Sequence, residues 1–271
     1  MKTLSNLSYG PHEERNLLDL YLPDVCDSPR PMVVCIHGGG WSGGDKLKYA
    51  WLERALTDMG FAAASVTYRF WPKWCWPAQL DDVQRAIRWL RRHATEYGID
   101  PSRIGALGGS AGAHLASHLG LMETCDDSDP ELAGFSSRVG CVVDCYGPVD
   151  LQAMMRSASA PIVEGLMGMP FCSASECAYR HASPLWRIGR FLPPFLIVHG
   201  TEDVGTSRGQ VPLTISEDFA ERLRGAGSDV SIVKLIGAPH GFSGNPESPH
   251  AQAMWKKAAM FFQQHLATNP G

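Results

Sequence analysis

Short apolar runs alternate with helix-like stripes along most of the chain. Compact runs at 32–36, 139–145 and 194–198 are typical of strands that are buried on both faces of a sheet. Within 77–97, apolar residues at 80, 83, 87 and 90 lie on one face of a helix that Gly98 ends. Strands alternating with helices predict the α/β class, with a mostly parallel central sheet and helices on both of its faces.

Similar patterns predict the remaining elements and one interruption. We expect strands at 17–23 (paired with residues near 5–9), 61–68, 102–107 and 230–236, and helices at 51–59, 111–119, from 219 to Gly225 or Gly227, and 251–266. Residues 150–193 break the alternation, because their methionines, prolines and small residues fit no single regular element. Such an insertion either forms a lid or acyl-pocket wall or only packs against the flank. We find no linker or repeat and therefore predict one domain over 1–271.

Composition and charge limit the class of protein. The 271 residues are 44% hydrophobic and 19% charged, as in a globular protein that buries a substantial core. The net charge of -4 and the lack of a basic run argue against nucleic acid or an anionic membrane as a partner. No apolar segment is long enough to cross a bilayer, and residues 1–10 lack the apolar core of a signal peptide. We therefore expect a cytoplasmic protein, or a secreted or periplasmic one if a signal peptide has been removed.

The eight cysteines follow neither a disulfide framework nor a metal-site spacing. Cys35, Cys141 and Cys145 lie within apolar runs, and we expect them to be small residues of buried strands. Cys172 and Cys177 either pair in an oxidising compartment or remain free thiols. The sequence predicts no metal site.

A candidate nucleophile lies in the pentapeptide Gly108-Gly109-Ser110-Ala111-Gly112. An apolar stretch precedes it and a run of small residues follows, so strand, tight turn and helix occur in the order of a nucleophile elbow. In such a turn the serine adopts strained backbone, and glycines two positions before and after it prevent collisions with the neighbouring strand and helix. The alternative is a glycine-rich turn that only assists packing.

A reactive serine needs a base, a group that orients the base, and donors for the oxyanion. His240 follows the last predicted strand, and Asp203 follows the strand at 194–198. The chain order Ser, Asp, His, with each residue after a strand, places all three at the carboxyl edge of a parallel sheet. These residues therefore form a candidate catalytic triad with Ser110.

The oxyanion donors are expected to be the backbone amides of Ala111, Gly39 and Gly40, since glycine lets the backbone approach a substrate closely. His37 directly precedes the glycine run. It either braces this loop through hydrogen bonds, the interpretation we favour, or acts as a second catalytic histidine.

These motifs resemble those of carboxylesterases of the α/β-hydrolase superfamily, in the HGGGW branch near hormone-sensitive-lipase-like esterases and the acetyl- and feruloyl-esterase-like group. The matching segments are 18–23, 37–41, 68–69, 76–83, 100–104, 108–115, 183–184, 199–203 and 240–242. They occur in the family's order over nearly the whole chain. The resemblance implies an α/β-hydrolase fold without a cofactor. It also implies Ser110 as nucleophile, His240 as base, Asp203 as acid, and Gly39, Gly40 and Ala111 as oxyanion donors.

The chain departs from the family pattern near the acid. Family members carry a Val-Pro pair shortly after the acid, whereas Val211-Pro212 begins eight positions after Asp203. The segment 205–209 therefore looks like a small insertion, which either alters substrate access or is only a longer surface loop. Because the insertion puts the geometry of the acid loop in question, Glu202 is an alternative acid.

The expected reaction is attack of the serine on an ester carbonyl, followed by hydrolysis of the acyl-enzyme. The resemblance places the aromatic-rich segment 70–77 near the pocket. Trp41, Trp71, Trp74 and Trp76 are therefore candidate substrate-binding residues. The tryptophans of 70–77 either stack on a sugar ring or aromatic acyl group or pack in the core. We predict a small-molecule or sugar ester as substrate, with acetylated sugars or aryl acetates first and feruloyl-type esters second.

Two other functions remain open at this point. An arylformamidase would cleave an N-formylkynurenine-type amide with the same triad. A hydrolase-like binding protein would have lost activity, typically with its base, although His240 is present in the expected context.

Overall fold

The computed structural model describes residues 1–24, 28–124, 126 and 128–267. Cys26 and Cys125 lie outside these residues. Cys35, Cys141 and Cys145 are buried, as expected. Cys172 and Cys177 are exposed free thiols, so the structure does not pair them.

An eight-stranded sheet forms the centre of the structure. Its strands are β1 (Lys2–Ser8), β2 (Leu17–Leu22), β3 (Arg30–Ile36), β4 (Ala62–Val66), β5 (Ile99–Gly109), β6 (Val142–Cys145), β7 (Phe195–Gly200) and β8 (Val230–Leu235). Their order across the sheet is β1-β2-β4-β3-β5-β6-β7-β8. The strand β2 runs antiparallel to both of its neighbours, whereas all pairs from β4 to β8 are parallel. The predicted α/β class with a mostly parallel sheet is confirmed.

Helices occupy most of the connections between strands. They are α1 (Ala50–Asp58), α2 (Ala78–Arg92), α3 (Ala94–Tyr97), α4 (Ala111–Leu121), α5 (Leu151–Met154), α6 (Ala160–Met167), α7 (Glu176–His181), α8 (Leu213–Gly225) and α9 (Pro249–Phe262). Within the described ranges, none of them combines the length and the apolar character that a membrane span requires.

The two faces of the sheet carry separate hydrophobic clusters. In β3, Met32, Val34 and Ile36 pack in the cluster that contains buried residues of α2, α4 and α8. Val33 and Cys35 pack in the other cluster, which contains buried residues of α1 and α9. This alternation follows from the two-residue period of a strand, and it explains why a strand covered on both faces is apolar throughout.

Two helix boundaries differ from the sequence-based expectation. The segment 77–97 forms α2 and α3 instead of one helix, because the chain leaves helical geometry at His93 (φ -98°, ψ 10°). The helix α8 begins at Leu213 and not at Phe219. Its buried stripe already includes Ile215, four residues before Phe219, and extends to Leu223.

The segment 150–193 contains three short helices, α5 to α7, followed by a 3-10 turn at Pro184–Arg187. It connects β6 to β7, and its buried residues, such as Val163 and Leu166, join the same hydrophobic cluster as α2 and α4. The segment therefore packs firmly on one side of the sheet. Whether it also forms the wall of a pocket depends on the site at the carboxyl edge of the strands.

Candidate active site

Ser110 occupies the turn between β5 and α4. The strand ends at Gly109 and the helix begins at Ala111, which leaves a single residue for the reversal. Ser110 has φ 57° and ψ -124°, a backbone conformation that is rare and strained for any residue with a side chain. The turn thus has the geometry expected of a nucleophile elbow.

The glycines around Ser110 are required by close backbone contacts. A Cβ atom on Gly108 would collide with the carbonyl oxygen of Gly112, and one on Gly112 would collide with the carbonyl oxygen of Ile36 at the end of β3. Any larger residue at either position would push α4 away from the sheet. The structure therefore supplies the steric reason for the Gly-x-Ser-x-Gly spacing.

His240 and Asp203 lie beside Ser110 in a continuous hydrogen-bonded chain. The Ser110 hydroxyl is 2.9 Å from His240 Nε2, and His240 Nδ1 is 2.6 Å from Asp203 Oδ2. His240 lies beyond β8, whereas Asp203 lies three residues beyond the end of β7. The structure brings the three predicted residues together from the ends of β5, β7 and β8, which are parallel strands of one sheet.

Asp203 is fully buried, and its carboxylate accepts hydrogen bonds from His240 and from the Val211 amide (2.8 Å). Nε2 of His199 also lies 3.1 Å from Asp203 Oδ2. Burial alone would raise the pKa of Asp203, but the contacts with the two histidines outweigh burial and hold that pKa below its ordinary value. Asp203 is therefore an ionised carboxylate that orients His240.

Sequence reasoning missed His199, the last but one residue of β7. Its ring is fully buried, with Nδ1 2.7 Å from the Ser216 hydroxyl and Nε2 facing Asp203. Nε2 lies 3.0 Å from the Val211 carbonyl oxygen and 3.1 Å from Asp203 Oδ2. Because both of these atoms are acceptors, Nε2 carries the proton and Nδ1 accepts from the Ser216 hydroxyl. The signal was the polar residue four positions before Asp203, at the end of an otherwise apolar strand.

The acid loop keeps its geometry despite the insertion at 205–209. The Val211 amide donates to the Asp203 carboxylate, and the Leu213 amide donates to the Asp203 carbonyl at 3.1 Å. His240 is hydrogen-bonded to Asp203, whereas Glu202 is exposed on the surface. The structure gives the orienting position to Asp203 and does not bring Glu202 to it.

The loop before Trp41 is oriented by hydrogen bonds to its carbonyl groups. The Gly39 carbonyl accepts from the Ser42 amide at 3.1 Å, and the Gly40 carbonyl accepts from Nε1 of Trp71 at 2.8 Å. In a trans peptide the N–H points opposite to the C=O. The amides of Gly40 and Trp41 therefore point away from these partners, and both residues line the cavity that also contains Ser110.

His37 braces the same loop from behind. Its Nδ1 donates to the Gly38 carbonyl at 2.8 Å, and its ring stacks on Tyr68 at 4.5 Å between centroids. Burial lowers the pKa of His37 to about 4, so its ring is neutral at physiological pH. These contacts agree with the bracing interpretation of His37. Because the Gly39 amide belongs to the same peptide as the Gly38 carbonyl, fixing that carbonyl also orients the Gly39 N–H.

Ser110 and His240 line a cavity of about 390 Å³. One wall is apolar and belongs partly to the segment 150–193. The lining side chains of this wall are Trp41, Trp71, Pro148, Met154, Ile162, Val163 and Val211. Met154, Ile162 and Val163 of the segment 150–193 thus line the cavity, and the same segment also packs on the sheet.

The four candidate tryptophans divide into two pairs. Trp41 and Trp71 line the cavity, although Trp41 is only 2% exposed and its ring packs edge-on against His114 at 5.1 Å. The structure does not bring Trp74 or Trp76 to this cavity. Trp74 lies beside Lys73 on a separate surface depression, and Trp76 packs against the His114 ring at 5.2 Å.

Backbone hydrogen bonds account for the positions of Trp74 and Trp76. The backbone amide of Trp76 donates to the Leu166 carbonyl of α6, which turns this residue away from Ser110 and toward α4. The Trp74 amide donates to the Phe70 carbonyl and so closes a turn. The ring centroids of Trp74 and His12 are 5.8 Å apart. Adjacent tryptophans in one loop thus face different surroundings.

Tyr146 is a further residue of the cavity that sequence reasoning missed. It follows β6 with φ 47°, and its ring packs against His240 with centroids 4.8 Å apart. Its hydroxyl is hydrogen-bonded to Ser243. Tyr146 therefore limits the freedom of the His240 ring.

The strand order and the hydrogen-bonded serine, histidine and aspartate define a protein of the α/β-hydrolase class. The family model BD-FAE matches residues 18–223, and the chain belongs to that family. The expected α/β-hydrolase fold and the resemblance to carboxylesterases are confirmed.

Relatives of this chain are esterases. The probable carboxylic ester hydrolase LipM of Mycobacterium tuberculosis is 31% identical, over 98% of this chain and 63% of its own length. The chain thus spans less than two thirds of that relative. Among solved structures, a truncated carbohydrate esterase from gut microbiota gives a TM-score of 0.84 at 27% identity, covering 99% of this chain and 97% of that one. The propionate-bound esterase Est2 of Thermogutta terrifontis gives 0.80 at 26% identity, covering 97% and 96%.

Proposed function

We propose that this protein is a serine carboxylesterase that hydrolyses short-acyl or aryl carboxylic esters, with acetyl esters of sugars favoured and feruloyl-type esters second. The observation that carries the proposal is the hydrogen-bonded chain from Asp203 through His240 to Ser110, with distances of 2.6 and 2.9 Å. Two of these residues, Ser110 and His240, line one cavity with the glycine loop.

Acylation of the serine is the first half of the proposed reaction. The Ser110 oxygen attacks the ester carbonyl carbon while its proton passes to Nε2 of His240. Asp203 accepts the Nδ1–H of His240 and stabilises the imidazolium that forms. The tetrahedral intermediate then breaks its carbon–oxygen bond, and the alcohol leaves with the proton from His240.

Deacylation repeats these steps with water. His240 takes a proton from water as the water oxygen attacks the acyl-enzyme carbonyl, and it returns a proton to Ser110 as the carboxylic acid leaves. His240 thus mediates every proton transfer of both halves, between Ser110, the leaving alcohol and water. The ring contact with Tyr146 and the bond to Asp203 hold His240 in place for both halves.

The developing oxyanion would be stabilised by backbone amides at two loops. Ala111 is the first residue of α4, so its amide has no partner within the helix and lies at the positive end of the helix dipole. The amides of Gly39 and Gly40 are turned by the carbonyl contacts described above. The same argument adds the Trp41 amide as a further donor, because Trp71 fixes the Gly40 carbonyl.

The preference for short acyl groups rests on the cavity and on relatives. A volume of about 390 Å³ is near the lower end of the range of small-molecule sites. Met154, Ile162 and Val163 close one side with apolar surface. Among the structural neighbours, one is named a carbohydrate esterase and another is described with propionate bound. These points favour a short acyl group on a sugar or aryl alcohol.

Hydrolysis of a substrate panel by the wild type and by Ser110→Ala tests the proposal. The panel contains p-nitrophenyl esters of rising acyl length, acetylated xylan, methyl ferulate and N-formylkynurenine. We expect p-nitrophenyl acetate and acetylated xylan to react fastest and Ser110→Ala to lose at least about 10³-fold in kcat. Ser207→Ala, on an exposed loop, is the control.

Other outcomes would replace the proposal. A fluorophosphonate probe should label the wild type and Ser207→Ala but not Ser110→Ala. Full activity in Ser110→Ala would overturn the serine mechanism. N-formylkynurenine as the best substrate would establish an arylformamidase, and a wild type that hydrolyses nothing on the panel would support the inactive binding protein.

We further propose that the protein works in the cytoplasm. The cysteines within the described ranges all have free thiols, including the exposed Cys172 and Cys177. Exposed unpaired thiols are typical of reducing compartments. Fractionation of the native cells should recover the esterase activity with cytosolic markers, and activity in the periplasm or medium would contradict this.

A further inference from the structure

Two cationic side chains line the active-site cavity, and no acidic side chain of the described residues joins them. Lys48 follows the glycine loop, and Arg208 belongs to the inserted segment 205–209. Apart from His240, the other lining residues are glycine, apolar or hydroxyl-bearing. The cavity is therefore positive although the whole chain has a net charge of -4.

Neither cation has an acidic partner among the described residues. In the part of the chain that the structure describes, no carboxylate lies within 4.0 Å of the charged end of Lys48 or Arg208. The nearby Lys46 differs in this respect, because its Nζ lies 2.7 Å from Asp19 Oδ2. Desolvation lowers the pKa of Lys48, and an anion in the cavity would offset that cost.

Hydrogen bonds of the residues on both sides of Arg208 hold the backbone of the inserted segment beside the cavity. The Gly209 amide donates to the Ser159 hydroxyl at 2.9 Å, and that hydroxyl donates to the Gln210 carbonyl at 2.8 Å. The side chain of Gln210 in turn accepts from the Thr206 amide at 3.1 Å. Ser159 directly precedes α6 in the pocket wall, so the insertion is tied to the wall on the side where Arg208 sits.

We propose that the preferred ester carries an anionic group, such as a carboxylate, that Arg208 and Lys48 bind. This inference rests on the proposed function and specifies its substrate class. An arginine fork and a lysine ammonium are the side chains that bind carboxylates most readily. A positive cleft on a negative protein also concentrates anions at its mouth and steers them to the site.

The anionic group can belong to either part of the ester, and paired substrates distinguish the two. For the alcohol part, 4-acetoxybenzoate is compared with the neutral 4-acetoxybenzamide. For the acyl part, monoethyl adipate is compared with the ethyl ester of adipamic acid. Within each pair the reacting ester and the size are nearly the same, so the ratio of kcat/KM values reports the charge.

We expect the charged partner of at least one pair to have a kcat/KM about fivefold higher or more at low salt, chiefly through KM. Arg208→Gln and Lys48→Gln should each reduce that ratio by up to about fivefold, as expected for exposed ion pairs. Lys257→Gln, an exposed site on α9 outside the cavity, removes the same charge and should leave the ratio unchanged. Salt should reduce the wild-type preference, since it screens exposed charges.

The result that would overturn the inference is a wild type that hydrolyses the neutral partner of both pairs as well as the charged one. A preference for the charged ester that survives in both cavity variants would overturn it too. Failure to hydrolyse any ester, p-nitrophenyl acetate included, would instead refute the proposed function.

Discussion

Replacement of Trp71 by phenylalanine tests whether this residue positions the oxyanion loop or only forms the pocket wall. The indole Nε1 donates to the Gly40 carbonyl at 2.8 Å and so fixes the peptide whose amide belongs to Trp41. Phenylalanine keeps an aromatic ring but has no donor. The Gly40 carbonyl would lose its partner, and the peptide would rotate more freely.

The size of the effect follows from one hydrogen bond. Removing a neutral hydrogen bond costs about 0.5–1.5 kcal/mol, which corresponds to roughly a two- to thirteenfold change in a rate. Complete loss of an oxyanion donor costs about 10²–10³-fold, which is the upper limit here. We expect kcat of Trp71→Phe to fall by about two- to thirteenfold, because the oxyanion contact is made in the transition state and not in the bound ester.

Steady-state hydrolysis of p-nitrophenyl acetate at several concentrations separates kcat from KM. Trp74→Phe is the matched control: it makes the same chemical change in the same loop, outside the cavity. Thermal unfolding of both variants checks that the close packing of Trp71 on Gly165 is not the origin of the change. An increase in KM with unchanged kcat would show that Trp71 is only a pocket wall, and the positioning argument would be refuted.

Two further predictions concern buried carboxyl groups. Asp203→Asn places an amide where His240 and the Val211 amide both need an acceptor, so the new NH₂ group faces a donor in either orientation. We therefore expect kcat to fall by about 10⁴-fold. The control Glu202→Gln should stay near wild type. Burial raises the pKa of Glu53 to about 8, so its folded-state pKa exceeds the unfolded value. Its stabilising contribution is therefore present at low pH and lost as pH rises toward 8, by up to about 1.4 kcal/mol per pH unit. Denaturant unfolding from pH 5 to 8 should show Glu53→Gln gaining stability relative to wild type with rising pH, and parallel curves would contradict the assignment.

Much of the fold is predictable because buried strands leave a local signal. The run 32–36 is apolar throughout, since its alternate residues meet two different hydrophobic clusters. The order of the strands in the sheet leaves no such local signal in the sequence. Nothing within 62–66 indicates that this strand lies between β2 and β3, because that placement depends on how the whole connection crosses the sheet.

The catalytic candidates were predictable for a related reason. Ser110, Asp203 and His240 each follow a strand within a few residues, so their position in the sheet follows from the strands themselves. Trp74 and Trp76 have no such constraint. The direction of a loop side chain depends on backbone contacts with distant residues, such as the bond from Trp76 to Leu166, and these leave no mark in the local sequence.

The acid loop shows how the catalytic geometry and the rim of the cavity are separated. The backbone amides of Val211 and Leu213, which follow the insertion, donate to the carboxylate and to the carbonyl of Asp203. The insertion itself turns at Gly205 and Gly209, both with positive φ, where glycine relieves the strain. The loop can therefore lengthen without moving the carboxylate. Its added residues reach the rim of the cavity, where Arg208 adds a charge without altering the triad.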